Sequence, residues 1–308
     1  MGLRTAPSGA LLLTAGLGTR LRPLTSALAK PALPVAGPTL VERIISSVRA
    51  QGVTDLLLNL HYLPATITRV VGDGTGLGVR VRYSWEVPLL GSGGGPRRAF
   101  ALVPDERLWL VNGDTLTDVD FALMAREHAA TDALVTMAVI PNPAPDRYGG
   151  VVVEDDGRIR AFVPRGFGDP TWHFVGVQIA EREAFASLAD GVPAESVAGV
   201  YRTLIASRPG AVRAFRSDAT FFDIGTPRDY LDACLRLSGS GIIVGRTARV
   251  SPTARVTRSV IFEGAEVGAG AILDSVVVLG GARVPEGVVA GNAVVTAGLD
   301  GVVITPFE

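Results

Sequence analysis

The stretch GALLLTAGLGTRLRPLTSALAKPALPVAGPTL, residues 9–40, runs from an apolar segment through a glycine-rich turn to Lys30, the chain's single lysine. Its first part, ALLLTA, has the length and composition of a buried strand. A strand that leads into a glycine-rich turn offers backbone N–H groups to phosphate oxygens. The turn is not a Walker loop, and Leu21 replaces the third glycine of a dinucleotide fingerprint. The stretch predicts either a phosphate-binding turn or a purely structural one.

Residues 1–240 alternate short apolar runs with helical patterns, which is typical of a mostly parallel sheet covered by helices. We expect a helix over residues 39–52 and a hairpin that turns at residues 156–157. A helix is also predicted over residues 195–210. The last predicted helix of this part has Thr226 as its cap, Pro227 in its first turn and Asp229 as its third residue.

The sequence changes character at SGSG, residues 238–241, which marks a predicted domain boundary. Beyond it, apolar residues recur mostly every six positions, with two steps of five, and small residues follow four positions later. Such a repeat predicts a short left-handed parallel β-helix over residues 241–308, with an irregular β-domain as the alternative. The apolar positions are Val244, Val250, Val256, Ile261, Val267, Leu273, Val278, Val284 and Ala290, and the small ones are Ala248, Ala254, Ala265, Ala271 and Ala282.

The composition is that of an ordinary globular protein, with 47% hydrophobic and 19% charged residues among 308. A formal net charge of −1 gives no reason to expect a nucleic-acid or membrane partner. Cys234 is the single cysteine, and its apolar neighbours predict a buried small side chain. With no disulfide framework and no evident signal peptide, we expect a cytoplasmic protein.

The string GLGTRLRPLT…AKPALPVAGPTL closely resembles the signature of the sugar-1-phosphate nucleotidyltransferases, or NDP-sugar pyrophosphorylases. The resemblance continues at VNGDTLTD and FFDIGTPRDYL and spans the first domain. It implies a Rossmann-like, GT-A-like nucleotide-diphospho-sugar transferase domain over residues 1–240, with a mostly parallel mixed sheet. It also implies that the protein joins a nucleoside triphosphate to a sugar 1-phosphate and releases pyrophosphate, with Mg²⁺ as cofactor.

The same resemblance implies the role of each site residue. Arg20 and Lys30 are expected to be the catalytic cations, and Asp114 and Asp223 are expected to hold Mg²⁺. The sugar phosphate is expected to contact Lys30, Gly150, Arg165 and His173, although a satisfied strand histidine is the alternative for His173. The expected nucleotide-binding residues are Ala15, Gly16, Leu17, Gly18, Thr19, Arg20, Ser92, Gly93, Gly94 and Gly113.

The implied chemistry gives a reason for a lone lysine. The attacking oxygen of a sugar phosphate is already anionic, so the reaction needs positioning and electrostatic stabilisation rather than a general base. A lysine ammonium is compact and its stem is thin, whereas a guanidinium is a broad fork. Lys30 therefore suits a crowded site between two phosphates, with a stray surface lysine as the alternative.

Residues 72–100 resemble the corresponding part of N-acetylmuramic acid 1-phosphate uridylyltransferases and of mannose-1-phosphate guanylyltransferases, which favours UTP or GTP. We expect residues 92–95 to pass beneath the base and sugar with their backbone exposed, with a flexible glycine loop as the alternative. Arg97 and Arg98 are expected to begin the next helix. The family commonly has Phe-x-Glu-Lys-Pro after the hairpin, but this chain has AFVPRG, with Pro164 and Arg165 in place of the acid and the lysine. The sugar therefore stays open, as does the base.

Two other functions fit parts of the sequence. One is a catalytically silent regulatory or assembly subunit, against which the joint presence of Arg20, Lys30, Asp114 and Asp223 argues. The other is an acyltransferase activity of the β-helix. That activity would need a histidine as a base, and no histidine follows His173 in the sequence. We expect the β-helix to form a homo-oligomer, so deletion of residues 241–308 should reduce the oligomer's size while leaving the active-site residues intact.

Overall fold

The computed structural model describes residues 6–299 and 301–307. Its contacts divide the chain into two compact units. The first comprises Met1–Gly16 and Val41–Phe221, and the second comprises Leu17–Leu40 and Phe222–Glu308. The turn that carries Lys30 is thus in the same unit as the C-terminal repeat. The predicted boundary at residue 240 follows the sequence repeat rather than these contacts and stays a prediction.

The first unit is built on a nine-stranded sheet with helices between its strands. Its strands are β1 (Gly9–Leu13), β2 (Asp55–Leu60), β3 (Arg80–Trp85), β4 (Arg107–Asn112), β5 (Thr115–Thr117), β6 (Val135–Pro141), β7 (Gly150–Val153), β8 (Ile159–Val163), β9 (Trp172–Glu181) and β10 (Val212–Arg216), with β5 outside the sheet. Its helices are α1 (Leu40–Ala50), α2 (Pro64–Val71), α3 (Gly91–Leu102), α4 (Phe121–Ala129) and α5 (Arg202–Ser207), and the π-helical turn Ser196–Tyr201 precedes α5.

The main path of the sheet runs β10-β6-β9-β4-β1-β2-β3. Strands β4, β1, β2 and β3 are parallel neighbours, and β10 is parallel to β6. Strand β9 is antiparallel to both β4 and β6, and the hairpin β7–β8 joins it at the side. The sheet is therefore mixed, as expected, and its antiparallel pairings are those of β9 and of the hairpin β7–β8. The hairpin, whose turn has Gly157 at φ 87°, brings the chain back in the opposite direction before β9.

The apolar runs form the core of this unit because parallel strands are covered on both faces. Leu11, Leu57 and Leu110, on three neighbouring strands, are almost fully buried. Of the predicted helices, residues 195–210 begin as the π-helical turn and become α-helical only at Arg202. Among the described residues, no helix combines the length and the apolar character needed to cross a membrane.

The described part of the second unit contains the Lys30 segment with the 3-10 helices Thr19–Leu21 and Lys30–Ala32, an α-helix and a stack of short strands. The helix α6 (Pro227–Ser238) has the predicted capping box of Thr226 and Asp229, and its buried Cys234 confirms the expected apolar position. The strands are β11 (Phe221–Asp223), which begins at the last residue of the first unit, β12 (Ile242–Val244), β13 (Arg249–Val250), β14 (Arg255–Thr257), β15 (Ser259–Ile261), β16 (Glu266–Val267), β17 (Ile272–Val278), β18 (Arg283–Val284), β19 (Val289–Gly298) and β20 (Gly301–Pro306).

Strands β12 to β19 stack in parallel with a constant offset along the chain. Val244 pairs with Ile261, and Ile261 pairs with Val278, so each residue lies beside the one 17 positions later. One coil of the stack therefore contains 17 residues, that is, two six-residue steps and one five-residue step. This explains why the spacing of the apolar residues is five rather than six at two places in the sequence. Strand β20 reverses direction and pairs antiparallel with β19.

Most of the repeat's apolar residues point into the stack. Ile261, Val267, Leu273, Val278, Val284 and Ala290 are buried, and Val250 and Val256 are half-buried. Val244, expected inside, is 49% exposed, because its strand is the first of the stack and has a neighbour on one side only. Ala265, Ala271 and Ala282 are fully buried. The left-handed sense of a β-helix stays a prediction.

Candidate functional site

The carboxyl ends of β1 and β4 lie side by side at one edge of the sheet. Leu13 pairs with Asn112, and the N–H of Gly113 donates to the Leu13 carbonyl at 3.0 Å. The residues that follow each strand, Ala15 on one side and Asp114 on the other, therefore leave the sheet at the same edge. Ligands of open α/β sheets bind at such an edge.

Gly113 is required by a close approach rather than by an unusual dihedral angle. A Cβ atom there would lie 2.5 Å from the Leu13 carbonyl oxygen and 3.1 Å from the Thr14 side chain. Only glycine fits between the two strand ends without moving one of them. Gly113 thus lets the chain before Asp114 lie close to the end of β1.

Asn59, the penultimate residue of β2, anchors the residues after β1. Its Oδ1 accepts hydrogen bonds from the N–H of Thr14 at 2.7 Å and of Ala15 at 3.3 Å. The Thr14 hydroxyl donates in turn to the Asn59 carbonyl. Sequence reasoning missed Asn59, although a lone amide near the end of the apolar run DLLLNL is a signal, because a buried amide needs partners.

The glycine-rich residues 92–95 lie at the start of a helix, so the alternative of a flexible loop is wrong. Gly93, Gly94 and Gly95 are buried, which contradicts the expected exposure of their backbone, while their contact with the nucleotide stays a prediction. Helix α3 begins at Gly91, and Arg97 and Arg98 lie within it rather than at its start. Two N–H groups of its first turn have tertiary partners, because Gly93 and Gly94 both donate to the Ala194 carbonyl, at 2.8 and 3.2 Å. The Ser92 hydroxyl donates to Glu195 at 2.7 Å.

Glycine is needed here because the segment around Ala194 packs directly on the helix. A Cβ at Gly94 would lie 2.6 Å from the Val192 carbonyl oxygen, and one at Gly93 would lie 3.1 Å from that of Ala194. Close packing thus outweighs the low helix propensity of glycine.

His173, on β9, lies in an aromatic cluster with Tyr148 and Phe221. Its ring centroid is 4.5 Å from that of Tyr148 and 4.8 Å from that of Phe221. Among the described residues, no hydrogen-bond partner reaches the buried Nδ1 atom. Burial lowers the pKa of His173 below its usual 6.5, and the Gly149 backbone opposes this shift. His173 is therefore mainly neutral at pH 7.

Two other predicted sugar-phosphate contacts lie near this cluster in the sequence. Gly150 begins β7 and faces Thr171 so closely that no Cβ fits between them. Arg165 lies in the exposed turn after β8, and the next residue, Gly166, donates its N–H to the Pro145 carbonyl at 2.9 Å. The hairpin β7–β8 carries both residues.

The second unit holds the rest of the glycine-rich turn. Gly18 has φ 61°, in the left-handed region, and its carbonyl accepts from the Thr25 hydroxyl at 2.8 Å. A Cβ at Gly18 would lie 3.4 Å from the Lys30 Cβ, so the turn packs against the stem of the lysine. Lys30 is only 9% exposed, whereas Arg20 is exposed. Lys30 is therefore held in place rather than free in solvent, which argues against a stray surface lysine.

Asp223 ends β11 directly before a constrained turn. A Cβ at Gly225 would lie 3.1 Å from the Asp223 carboxylate and 3.4 Å from that of Asp229. Asp229 is committed to the helix cap, since its carboxylate accepts from the Thr226 N–H at 3.0 Å. Asp223 is half-buried at the start of this turn.

Asp114 and Asp223 fit the predicted role of Mg²⁺ ligands by their chemistry. Both side chains are half-buried, and carboxylate oxygens are the donors that Mg²⁺ prefers. Mg²⁺ is commonly held by one or two carboxylates, with water and substrate phosphates completing its shell. Among residues 6–299 and 301–307, no group of three or more His, Cys, Asp and Glu side chains is arranged to hold a metal.

Comparison with known proteins gives consistent results. The model of a family described as nucleotidyl transferase matches residues 9–239. A mannose-1-phosphate guanylyltransferase of Mycobacterium tuberculosis is 28% identical over 296 residues, covering 86% of this chain and 82% of that protein. An N-acetylmuramate alpha-1-phosphate uridylyltransferase of Neisseria meningitidis is 32% identical over 221 residues, covering 70% of this chain and 93% of the relative.

Solved structures match the fold. The crystal structure of HddC from Yersinia pseudotuberculosis complexed with GMP-PN covers 74% of this chain and 99% of its own, with a TM-score of 0.64 and 23% identity. This likeness supports the mixed α/β nucleotidyltransferase fold expected from the sequence.

Proposed function

The chain belongs to the nucleotidyl transferase family, among the sugar-1-phosphate nucleotidyltransferases, and we propose that it transfers a guanylyl or uridylyl group from GTP or UTP to a sugar 1-phosphate. A phosphate oxygen of the sugar 1-phosphate attacks the α-phosphorus of the nucleotide. The bond between that phosphorus and the oxygen bridging to the β-phosphate breaks, and pyrophosphate leaves. The products are an NDP-sugar and pyrophosphate.

The observation that supports this proposal most is the shared edge of β1 and β4. The hydrogen bond from Gly113 to Leu13 and the close approach at Gly113 fix the start of the glycine-rich turn beside Asp114. In the proposed function Ala15 and Gly16 contact the nucleoside through their backbone. Asp114 then follows from the same edge toward the phosphates.

The proposed roles of the charged residues follow from the repulsion between two phosphate groups. Lys30, buried and packed on Gly18, contributes a fixed positive charge between them, and Arg20 adds a second one on the triphosphate. No residue needs to remove a proton, because the attacking oxygen is already ionised. Asp114 and Asp223 would hold Mg²⁺, which when bound neutralises phosphate charge and orients the α-phosphate.

We assign the sugar side of the proposed site to the hairpin and β9. Arg165 takes the place of the family's lysine and contacts the sugar phosphate. Gly150 contributes a backbone contact, since Thr171 fills the space on its Cβ side. His173 packs against Tyr148 at a tilt and against Phe221 edge to face and, as a neutral group, presents a ring rather than a charge. Because Pro164 stands in place of the family's glutamate, other groups must contact the sugar hydroxyls.

The experiment is a measurement of pyrophosphate release with Mg²⁺ from each of UTP, GTP, dTTP, CTP and ATP, paired with a panel of sugar 1-phosphates. We expect turnover with GTP or UTP and at least one sugar phosphate. A Lys30→Arg protein serves as the matched control for background hydrolysis. Failure with every pair would contradict the proposal and favour a silent regulatory or assembly subunit.

We also propose that the C-terminal stack is a left-handed parallel β-helix through which copies associate, and that the protein is cytoplasmic. The proposed interface is the outer edge of β20, where Val303 and Ile304 are 51% and 40% exposed. An apolar strand edge without charged side chains favours pairing with another chain. A Val303→Lys variant should have a lower mass in light scattering than the parent protein, and an unchanged oligomeric mass would contradict this interface.

A further inference from the structure

A fully buried carboxylate, Glu86, joins the end of β1 to the start of α3 and has no part in the roles proposed for the charged residues. It follows β3 directly and is 1% exposed. Its Oε1 accepts from Asn59 Nδ2 at 2.8 Å, and its Oε2 accepts from the N–H of Leu90 at 2.9 Å. Leu90 is the residue before the first turn of α3.

Asn59 extends this connection to the glycine-rich turn. While its Nδ2 donates to Glu86, its Oδ1 accepts from the N–H of Thr14 and Ala15. The order of groups is therefore fixed: two backbone donors, one amide, one carboxylate and one further backbone donor. Each hydrogen bond has one donor and one acceptor, and reversing the amide would set two donors or two acceptors against each other.

Helix α3 packs directly on this pair. A Cβ at Gly95 would lie 3.0 Å from both Asn59 Nδ2 and Glu86 Oε1. The carboxylate is thus enclosed by backbone and by the helix, where an unmatched polar group is costly. Such an arrangement holds two chain segments in one relative position.

We propose that Glu86 is a positioning residue for the nucleotide, acting through Asn59 on the Ala15 backbone and through Leu90 on the first turn of α3. This inference rests on the proposed function, in which Ala15 contacts the nucleoside, and on the predicted nucleotide contacts of residues 92–94 in the first turn of α3. Glu86 does not touch the substrate. It sets the separation of the two segments between which the nucleoside binds.

The donor and acceptor order provides a test that changes the hydrogen bonds while keeping the shape of the side chains. Glu86→Gln has one acceptor and one donor, so either Asn59 or the Leu90 N–H loses its partner. The double variant Asn59→Asp and Glu86→Gln restores every hydrogen bond. In that variant the new carboxylate at position 59 accepts from Thr14 and Ala15. The new amide at position 86 donates its N–H to that carboxylate, and its oxygen accepts from the Leu90 N–H. The pair of side chains keeps one negative charge.

We expect Glu86→Gln to raise KM for the nucleotide by about tenfold, the factor that corresponds to about 1.4 kcal/mol, while KM for the sugar phosphate changes by less than about twofold. The double variant should recover most of the nucleotide KM. A Glu181→Gln protein is the matched control, because Glu181 is also a buried carboxylate but pairs with Arg107 at the other end of β4. It should lower stability without changing the nucleotide KM.

Hydrogen–deuterium exchange of the free protein separates this inference from the proposed function. Glu86→Gln should speed exchange in peptides that contain Thr14 and Ala15 and in those that contain Leu90, and the double variant should restore protection. If wild type turns over no nucleotide, the proposed function fails, and exchange still decides whether Glu86 fixes both segments. An unchanged nucleotide KM, or unchanged exchange at these segments, in folded Glu86→Gln would overturn the inference.

Discussion

Replacement of Gly113 by alanine tests whether the spacing of β1 and β4 sets the geometry of the site. The added Cβ would lie 2.5 Å from the Leu13 carbonyl oxygen, about 1 Å closer than the ~3.5 Å of ordinary non-bonded contact. Leu13 ends a strand that is paired on both sides, so β1 is not free to withdraw. The residues after β4, including Asp114, must therefore move by roughly this distance.

Two effects of different size follow. Overpacking of this kind costs about 1–3 kcal/mol of unfolding free energy. A displacement of about 1 Å at reacting groups can lower a rate by about a hundredfold, because catalysis here depends on positioning. We therefore expect Gly113→Ala to remain folded under native conditions and to lose about two orders of magnitude in kcat.

Urea unfolding and pyrophosphate release measure these two effects on the same preparation. Gly76→Ala is the matched control, because no atom lies within 4 Å of its added Cβ and its φ is not positive. This control should be neutral or gain up to about 1 kcal/mol from the smaller entropy of its unfolded chain. If Gly113→Ala matched the control in both stability and kcat, the argument from strand spacing would be refuted.

Three further substitutions address Lys30, the cap of α6 and His173. Lys30→Arg should lower kcat by about a hundredfold with little change in the melting temperature, since a broad guanidinium cannot replace the compact charge, and near-normal turnover would exclude this role. Thr226→Ala should lower the unfolding free energy by about 1 kcal/mol in urea, because the Asp229 N–H loses its capping oxygen; a loss below about 0.3 kcal/mol would speak against the cap. Because burial lowers the pKa of His173, its folded state binds fewer protons than the unfolded state, so stability is full above pH 6.5 and falls as the pH drops below it. His173→Phe should flatten this part of the stability–pH profile, and an unaltered slope would show that another group causes it.

The parts of the fold that could be predicted are those in which local sequence and tertiary structure agree. The apolar runs became buried strands, and Thr226 with Asp229 forms the expected capping box. The turn at residues 156–157 joins β7 to β8 as expected. In each case the residues that determine the structure are close together in the sequence.

The features that the sequence did not predict depend on contacts between segments far apart in the chain. The glycines of α3 have low helix propensity, and only packing against residues 192–194 makes the helix favourable there. The antiparallel course of β9 depends on pairing with β4 and β6, which no local pattern encodes. Sequence reasoning missed Glu86 for the same reason, because its partners Asn59 and Leu90 belong to other segments.

Within the second unit, Tyr230 of α6 contacts both the C-terminal stack and the segment that carries Lys30. Tyr230 of α6 is buried, its hydroxyl donates to the Pro34 carbonyl near Lys30, and its ring lies 6.2 Å from that of Phe262 in the stack. Burial raises the pKa of this hydroxyl, which therefore stays protonated and able to donate. Removal of residues 241–308 would strip α6 of Phe262 and expose the side that supports the Lys30 segment. Truncation therefore cannot separate self-association from the proposed catalysis, whereas a surface change at β20 can, because Val303 lies on the outside of the stack.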